Sequence, residues 1–555
     1  MTTSQAHGPA DHHHDGSIKE TLISLIISFT MAMIFRSYVV EAFIIPTGSM
    51  APTLLGAHMQ FRSPQSGVAW AVNPWYEAAP DTPAPIQGRG AYGEPTATDP
   101  ASTSRVNSLA MGGRVPPVSG YAIPPAPMPI RAGDRILVQK YLYEVFPPKR
   151  YDVVVFKNPE LPAQNFIKRL VGLPGEQIWI AGGDIFARRV TTGPNGHELL
   201  DEWAIRRKPR RVQEAVWRLV YSSEFAPLEP ARDGRQWFEP PWRGEGWSGL
   251  DSREYRHESG DRAALEWDTA RWPVWDWVAY NEWPNKVQGQ GASHNFPVSD
   301  VRVRAGVRPD RDGLTVLANI SARGHEFQAR IDGQQAEVRM RRIIPASPDG
   351  AAWVSLAREA FPGLPAGRVS NLEFRHVDQA LDLWLNGRSI VRGEYGWGPS
   401  ERLLHATGRS GDEYEQETTT RTALREPEAF APDRPRVSWS FSGSPVTLFR
   451  VGLDRDLYYE SVQMGPEPGL GTHPSHLATL GPDQFFVLGD NSPASKDGRL
   501  WDRVDPWVQE EIDPTVGVVP RRLMLGKAFF VYFPAPFSLG GRIPIPDFGR
   551  LRAIR

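Results

Sequence analysis

The chain has 555 residues, roughly three or four domains' worth, and with 40% apolar and 23% charged residues it can bury a core. Its 62 Lys and Arg against 64 Asp and Glu leave a formal net charge of −2, which argues against nucleic acid as a main partner because a polyanion binder needs a basic surplus. The absence of cysteine excludes disulfides, thiolate-held zinc, iron–sulfur clusters and a thiol nucleophile, while 51 Gly and 52 Pro predict long irregular stretches.

Residues 1–20 are polar and read as a disordered tail, in which the run His12-His13-His14 is incidental. Thr21 to Phe35 is free of charge. As a helix it covers ~22 Å, and Arg36 can snorkel while the apolar stretch runs on to Val40. Residues 21–40 are therefore expected to form one transmembrane helix. A cleaved signal peptide would want more cations in its n-region than Lys19 alone. Residues 41–56, EAFIIPTGSMAPTLLG, predict a short strand and a turn.

From 57 to 130 the sequence is rich in Pro, Gly and Ala and is expected to be a surface excursion. Its GRGAYG (88–93) is formally a GxGxxG, but no strand precedes it and no helix follows, so it is no nucleotide loop. Ser63-Pro64-Gln65-Ser66-Gly67 has the spacing of a CPxCG zinc knuckle with both sulfurs replaced, and cannot bind zinc as thiolates. Between 131 and 181, ILVQKYLY, DVVVF, FIKRLVGLPG and QIWI read as strands.

A second interruption, 182–481, holds 10 of the 19 tryptophans between Trp203 and Trp283. Its remainder alternates with period two, and Asp332-Gly333 and Asn386-Gly387 sit where type I′ hairpin turns belong. A β-sandwich or jelly-roll insert is expected. Strand-like runs return over 482–535 (FFVLGD, LMLGKAFFVYFP), and 536–555 reads as a C-terminal tail. The fold class is thus mostly β: a transmembrane helix, then an all-β catalytic domain in three parts (41–56, 131–181, 482–535) broken by two insertions.

For chemistry, no HExxH occurs, and His58, nine residues after Ser49, offers only a remote Ser–His pairing. In Thr47-Gly48-Ser49, Gly48 can let the backbone turn sharply, leaving the next hydroxyl exposed with its own N–H free, a nucleophile beside an oxyanion donor. Lys168 lies in the apolar run Phe166-Ile167-Lys168-Arg169-Leu170-Val171. At an ordinary pKa only ~0.04% of a lysine is neutral at pH 7, but burial could lower that pKa by ~3 units and make a general base. If the side chain merely edges into water, it has no such role.

Taken in order, PTGSMAPTL (46–54), GDRILVQK (133–140) with RYDVVVFKNP (150–159), FIKRLVGLPGE (166–176), VLGDNSPASKDGR (487–499) and VPRRLMLGKAFFVYFP (519–534) resemble the type I signal peptidases, the bacterial leader peptidases with a Ser–Lys dyad. Under a quarter of the chain carries this resemblance. It implies Ser49 as nucleophile, Lys168 as general base, and an oxyanion hole from the Ser49 N–H and the Thr47 hydroxyl. Ser495 would orient the lysine, with Arg169, Gly489, Asn491, Asp497 and Arg499 as structural support. Ile45, Leu54, Val155, Phe166 and Ile167 would line shallow pockets for small side chains, the Ala-x-Ala preference. Lys140 matches a lysine outside the catalysis.

The resemblance also implies no cofactor and no metal. The expected partners are preproteins emerging from the export machinery and the lipid bilayer, and the expected location is the bacterial cytoplasmic membrane with the catalytic domain outside. The sequence departs from the pattern at Tyr151, where Gly is common, at Phe166, where Tyr is common, and after Gly56, where the excursion intervenes. A rival reading, a tethered carbohydrate- or surface-binding protein on a disused peptidase frame, draws on exposed tryptophans stacking on sugars. On the leading reading, deletion of 184–480 leaves some activity.

Overall fold

The structure is a computed structural model that describes residues 18–73, 96–101, 105–107, 130–192, 198–232, 235–236, 238–281, 295–343, 351–416, 423–464, 467–539 and 543–555. The His12–His14 run and GRGAYG lie outside them.

Helix α1 spans Ile18–Tyr38, and the chain continues directly into strand β1, Val40–Ile44. The helix therefore starts before and stops short of the expected 21–40. Its apolar side chains, Leu22, Ile23, Leu25, Ile26, Ile27, Phe29, Met31 and Met33, are exposed. Among the described residues no helix is long and apolar enough to cross a membrane.

The central sheet joins β1 to β2 (Arg135–Gln139), β3 (Val153–Asn158), β4 (Leu161–Gly172), β5 (Gln484–Leu488), β6 (Val519–Pro520) and β7 (Met524–Phe533). Its order is β1-β2-β7-β3-β4-β5-β6, and every neighbouring pair is antiparallel. β3 is buried on both faces, as its unbroken apolar run requires. Val153 and Val155 pack with Ile45, Leu54, Ile136 and Ile167 on one side, Val154 and Phe156 with Leu170, Val487 and Trp501 on the other. Residues 536–555 are not a free tail. Phe537–Leu539 pairs with Ile543–Ile545, and Arg552–Ala553 adds to β7 as an extra edge.

The start of the excursion is also packed. His58–Arg62 pairs with Ala69–Val72 and with Ile130–Arg131 over a core of Met59, Phe61, Trp70 and Val72. The knuckle-like Ser63–Gly67 is simply the hairpin turn: Ser63 Oγ accepts the Ser66 N–H at 3.2 Å, and Ser66 Oγ donates to Asp99 at 2.7 Å.

Asp184–Thr192 forms a hairpin with Glu176–Ala181 in a smaller sheet. Two larger sheets, of eight and seven strands between Arg218 and Arg455, share one apolar core. Of the tryptophans cited for sugar stacking, Trp242, Trp267 and Trp272 fill that core, with Trp242 and Trp267 edge to face at 5.3 Å, whereas Trp277 is exposed and Trp237 and Trp283 lie outside the described residues. Of the two predicted hairpin turns, Asn386-Gly387 has φ of 49° and 80°, as type I′ requires. Asp332-Gly333 does not. Neither residue has positive φ, the loop is longer, and the Asp332 carboxylate accepts the Gln334 and Gln335 N–H groups.

Candidate active site

Ser49 sits on the turn that follows β1, and Lys168 lies on β4 opposite Val154 of β3. Their meeting is direct: Lys168 Nζ is 2.7 Å from Ser49 Oγ. Lys168 is 3% exposed, its amine 5.3 Å from the centre of the half-buried Phe166 ring. Burial lowers its pKa to about 8. Asp497 and Asp490 raise it somewhat, and Arg499 opposes them. An ammonium here donates to the serine oxygen, whereas the neutral amine that burial favours can take the serine's proton.

The turn itself is clamped from the loop after β5. Asn491 N–H donates to Ser49 O at 3.0 Å, and Asn491 Nδ2 donates to Gly48 O at 2.8 Å. Among the described residues the Ser49 N–H finds no acceptor. Gly48 is not in a left-handed conformation. It is glycine because a Cβ there would lie 2.0 Å from the Tyr280 ring. Gly489 is required for the same kind of reason, since a Cβ would meet Ser495 Oγ at 2.2 Å and Ser49 O at 2.5 Å. Thr47, next to this turn, is exposed.

Two fully buried ion pairs brace the loop. Arg169 meets Asp490 in a fork, at 2.7 and 2.6 Å, and also donates to the Tyr151 and Arg555 carbonyls. Arg499 meets Asp497 at 2.9 Å through two nitrogens, and Asp497 accepts the Gly489 N–H. Burial alone would push both carboxyls up, but their arginines hold them below the usual carboxylate range. Ser495 is buried beside Gly489, and its hydroxyl makes no hydrogen bond. Ile45, Leu54, Val155 and Ile167 fall in one apolar cluster with Met50, whereas Phe166 packs with Phe156 and Leu170.

His58 is not brought into this chemistry: it is buried, its Nδ1 lies 2.8 Å from Gly56 O, and burial lowers its pKa to about 4. Lys140 pairs with Glu41 at 3.1 Å near the surface. Tyr151 holds φ of 69°, a left-handed conformation that explains why glycine would suit this position. Its ring is buried against Val171 and Ile178.

Sequence reading missed Asp490, Tyr280 and Asn281. Asp490 stood in plain view between Gly489 and Asn491, and a carboxylate two residues past a strand facing a buried arginine was the available signal. Tyr280 donates to Ala57 O at 2.7 Å, and Asn281 exchanges amide hydrogen bonds with Asn491 at 2.7 Å. Nothing in their local sequence marks either.

The family described as signal peptidase, peptidase S26, matches residues 117–212 and 458–533. Lys168, Arg169 and the whole 487–499 loop lie inside those segments, and Ser49 precedes the first. The chain is 41% identical over 75 residues to a signal peptidase I of Buchnera aphidicola subsp. Baizongia pistaciae, covering 11% of this chain and 23% of that protein. It is 27% identical over 163 residues to a signal peptidase I of Pseudomonas fluorescens, covering 22% and 56%. It is 30% identical over 89 residues to mitochondrial inner membrane protease subunit 1 of Xenopus tropicalis, covering 16% and 52%. The chain thus spans from just under a quarter to just over half the length of these relatives. Among solved structures, a carbohydrate-binding module, CBM66, from Bacillus subtilis is 8% identical over 39% of this chain and 96% of that one, at a TM-score of 0.21, too low to carry an argument. Over the matched segments the chain is similar to the signal peptidase S26 family and to the signal peptidases I that share them.

Proposed function

We propose that this chain is a membrane-anchored serine endopeptidase that removes N-terminal signal peptides from exported preproteins, cleaving after small residues by a Ser49–Lys168 dyad. The observation that carries the reading is the buried 2.7 Å contact between the two side chains. Neutral Lys168 takes the Ser49 proton as Oγ attacks the peptide carbonyl. The Ser49 N–H and the Thr47 hydroxyl receive the oxyanion. The lysine then protonates the leaving amine and later activates the deacylating water, and Ser495 would orient it through a hydrogen bond that is not formed in this structure. Ile45, Leu54, Val155 and Ile167, which share one cluster, are read as the apolar floor that admits small side chains at −1 and −3, whereas Phe166, which packs with Phe156 in another cluster, is read as bordering it.

Anchoring is supported by α1. Its apolar side chains from Leu22 to Met33 are exposed, as a surface that meets lipid would be. We read the exposed apolar run of α1 as the anchor that holds the catalytic sheet against the outer face of a bacterial cytoplasmic membrane, where preproteins emerge. The two large sheets are read as an insert into the peptidase frame.

The test is cleavage of a preprotein with an Ala-x-Ala site by the detergent-solubilised chain. Wild type should cut after the −1 Ala. Ser49→Ala and Lys168→Met should lose the activity while staying folded and membrane-bound. Full activity in Lys168→Met would sink the dyad.

A further inference from the structure

We propose that Asn281, supplied by the segment between the two large sheets' strands rather than by the peptidase frame, is a positioning residue for the oxyanion site. This rests on Ser49 being the nucleophile. The Gly48–Ser49 peptide is trans and planar, so its C=O and N–H point in opposite directions, and whatever holds the Gly48 oxygen also aims the Ser49 N–H. That oxygen is held by the Ala51 N–H at 2.9 Å and by Asn491 Nδ2 at 2.8 Å.

The Asn491 amide is in turn locked by Asn281. Because Gly48 presents a carbonyl, Asn491 must turn its NH2 toward it. Its second N–H then reaches Asn281 Oδ1 at 2.7 Å, and its own Oδ1 accepts from Asn281 Nδ2 at 2.7 Å. Both hydrogens of the Asn491 amide are spent, so the side chain cannot rotate without losing three bonds. Asn281 is itself fixed: its N–H donates to Val278 O at 2.9 Å. Its neighbour Tyr280 packs its ring on Gly48, donates to Ala57 O at 2.7 Å and accepts the Asn73 N–H at 2.7 Å. The residues lie 210 positions apart in the chain. The sheets between Arg218 and Arg455 thus reach into the catalytic turn.

The experiment uses the full detergent-solubilised chain, wild type against Asn281→Ala, Asn281→Asp, Asn491→Ala and the double Asn281→Ala/Asn491→Ala. It reads kcat and KM on a preprotein with an Ala-x-Ala site, and amide hydrogen exchange of the peptide covering 46–54. Asn281→Ala should lower kcat about tenfold with KM within about twofold of wild type, and speed exchange in 46–54. Asn281→Asp keeps the acceptor for Asn491 Nδ2 and should fall between. The double variant should be no slower than Asn491→Ala, since both act through one carbonyl. Unchanged kcat and exchange in Asn281→Ala, or additive losses in the double, would overturn the proposal. If wild type itself fails to cleave while 46–54 exchanges faster in Asn281→Ala, the proposed peptidase activity fails and the clamp on the turn stands.

Discussion

Lys168 is a buried amine facing a hydroxyl rather than a carboxylate, and burial therefore governs its charge. With a pKa of about 8, roughly a tenth is neutral at pH 7, some two hundred times more than for an ordinary lysine. kcat/KM should rise with pH through an apparent pKa near 8 as the base loses its proton. The same shift acts on stability. Between pH 8 and 10.5 the unfolded chain holds the Lys168 proton and the native state has lost it, so stability rises with pH across that window. Below pH 8 the full penalty of burying the charge is present. Lys168→Met, which removes that penalty, should melt higher than wild type at pH 7 and lose this part of the pH slope, as a thermal scan at both pH values would read. A flat kcat/KM profile between pH 7 and 9 would remove the lysine from the base role.

At the scale of elements, what matters is whether a turn needs a left-handed residue. Gly387 has φ of 80° in a two-residue loop between Leu385 and Arg388. Gly333 has no such need, and a Cβ there would meet nothing within 4 Å. Gly387→Ala should therefore cost about 1 kcal/mol, whereas Gly333→Ala should be neutral or slightly stabilising by restricting the unfolded chain. Equal shifts in thermal midpoint would contradict the difference. The dipeptides Asp-Gly and Asn-Gly look alike in sequence. What separates them is that Asp332 satisfies two backbone N–H groups with its own carboxylate, so the chain turns without left-handed residues.

At the scale of the whole molecule, the question is where the large sheets can be cut away. Deleting 184–480 removes Asp184–Thr192, the partner of Glu176–Ala181, and with it Leu457 and Tyr459, which pack with Val171. That variant should fail to fold, contrary to the expectation from sequence. Arg218 and Arg455 are paired across adjacent antiparallel strands, so a short linker can replace 218–455. This shorter deletion should yield a folded chain, slowed at least as much as Asn281→Ala because it removes both Tyr280 and Asn281. Protease resistance and preprotein cleavage would check both. Activity in the longer deletion equal to wild type would show that the catalytic turn stands without these supports.

The sequence by itself determined the alternating strands, the mostly β class, and the few short blocks in which Ser49, Lys168 and the Asp497–Arg499 loop reside. These were legible because strand periodicity and glycine-hydroxyl turns are local, and because a lysine inside an apolar run is conspicuous. Only the tertiary structure decided which groups meet. It joined residues 119 positions apart at Ser49 and Lys168, bound Arg169 to Asp490 across 321, and laid Arg552–Ala553 on β7. It also buried Trp242, Trp267 and Trp272 and brought Asn281 to the Gly48–Ser49 turn. Such contacts carry no local signature, since a hydrogen bond depends on where two side chains end in space and not on the residues beside them in the chain.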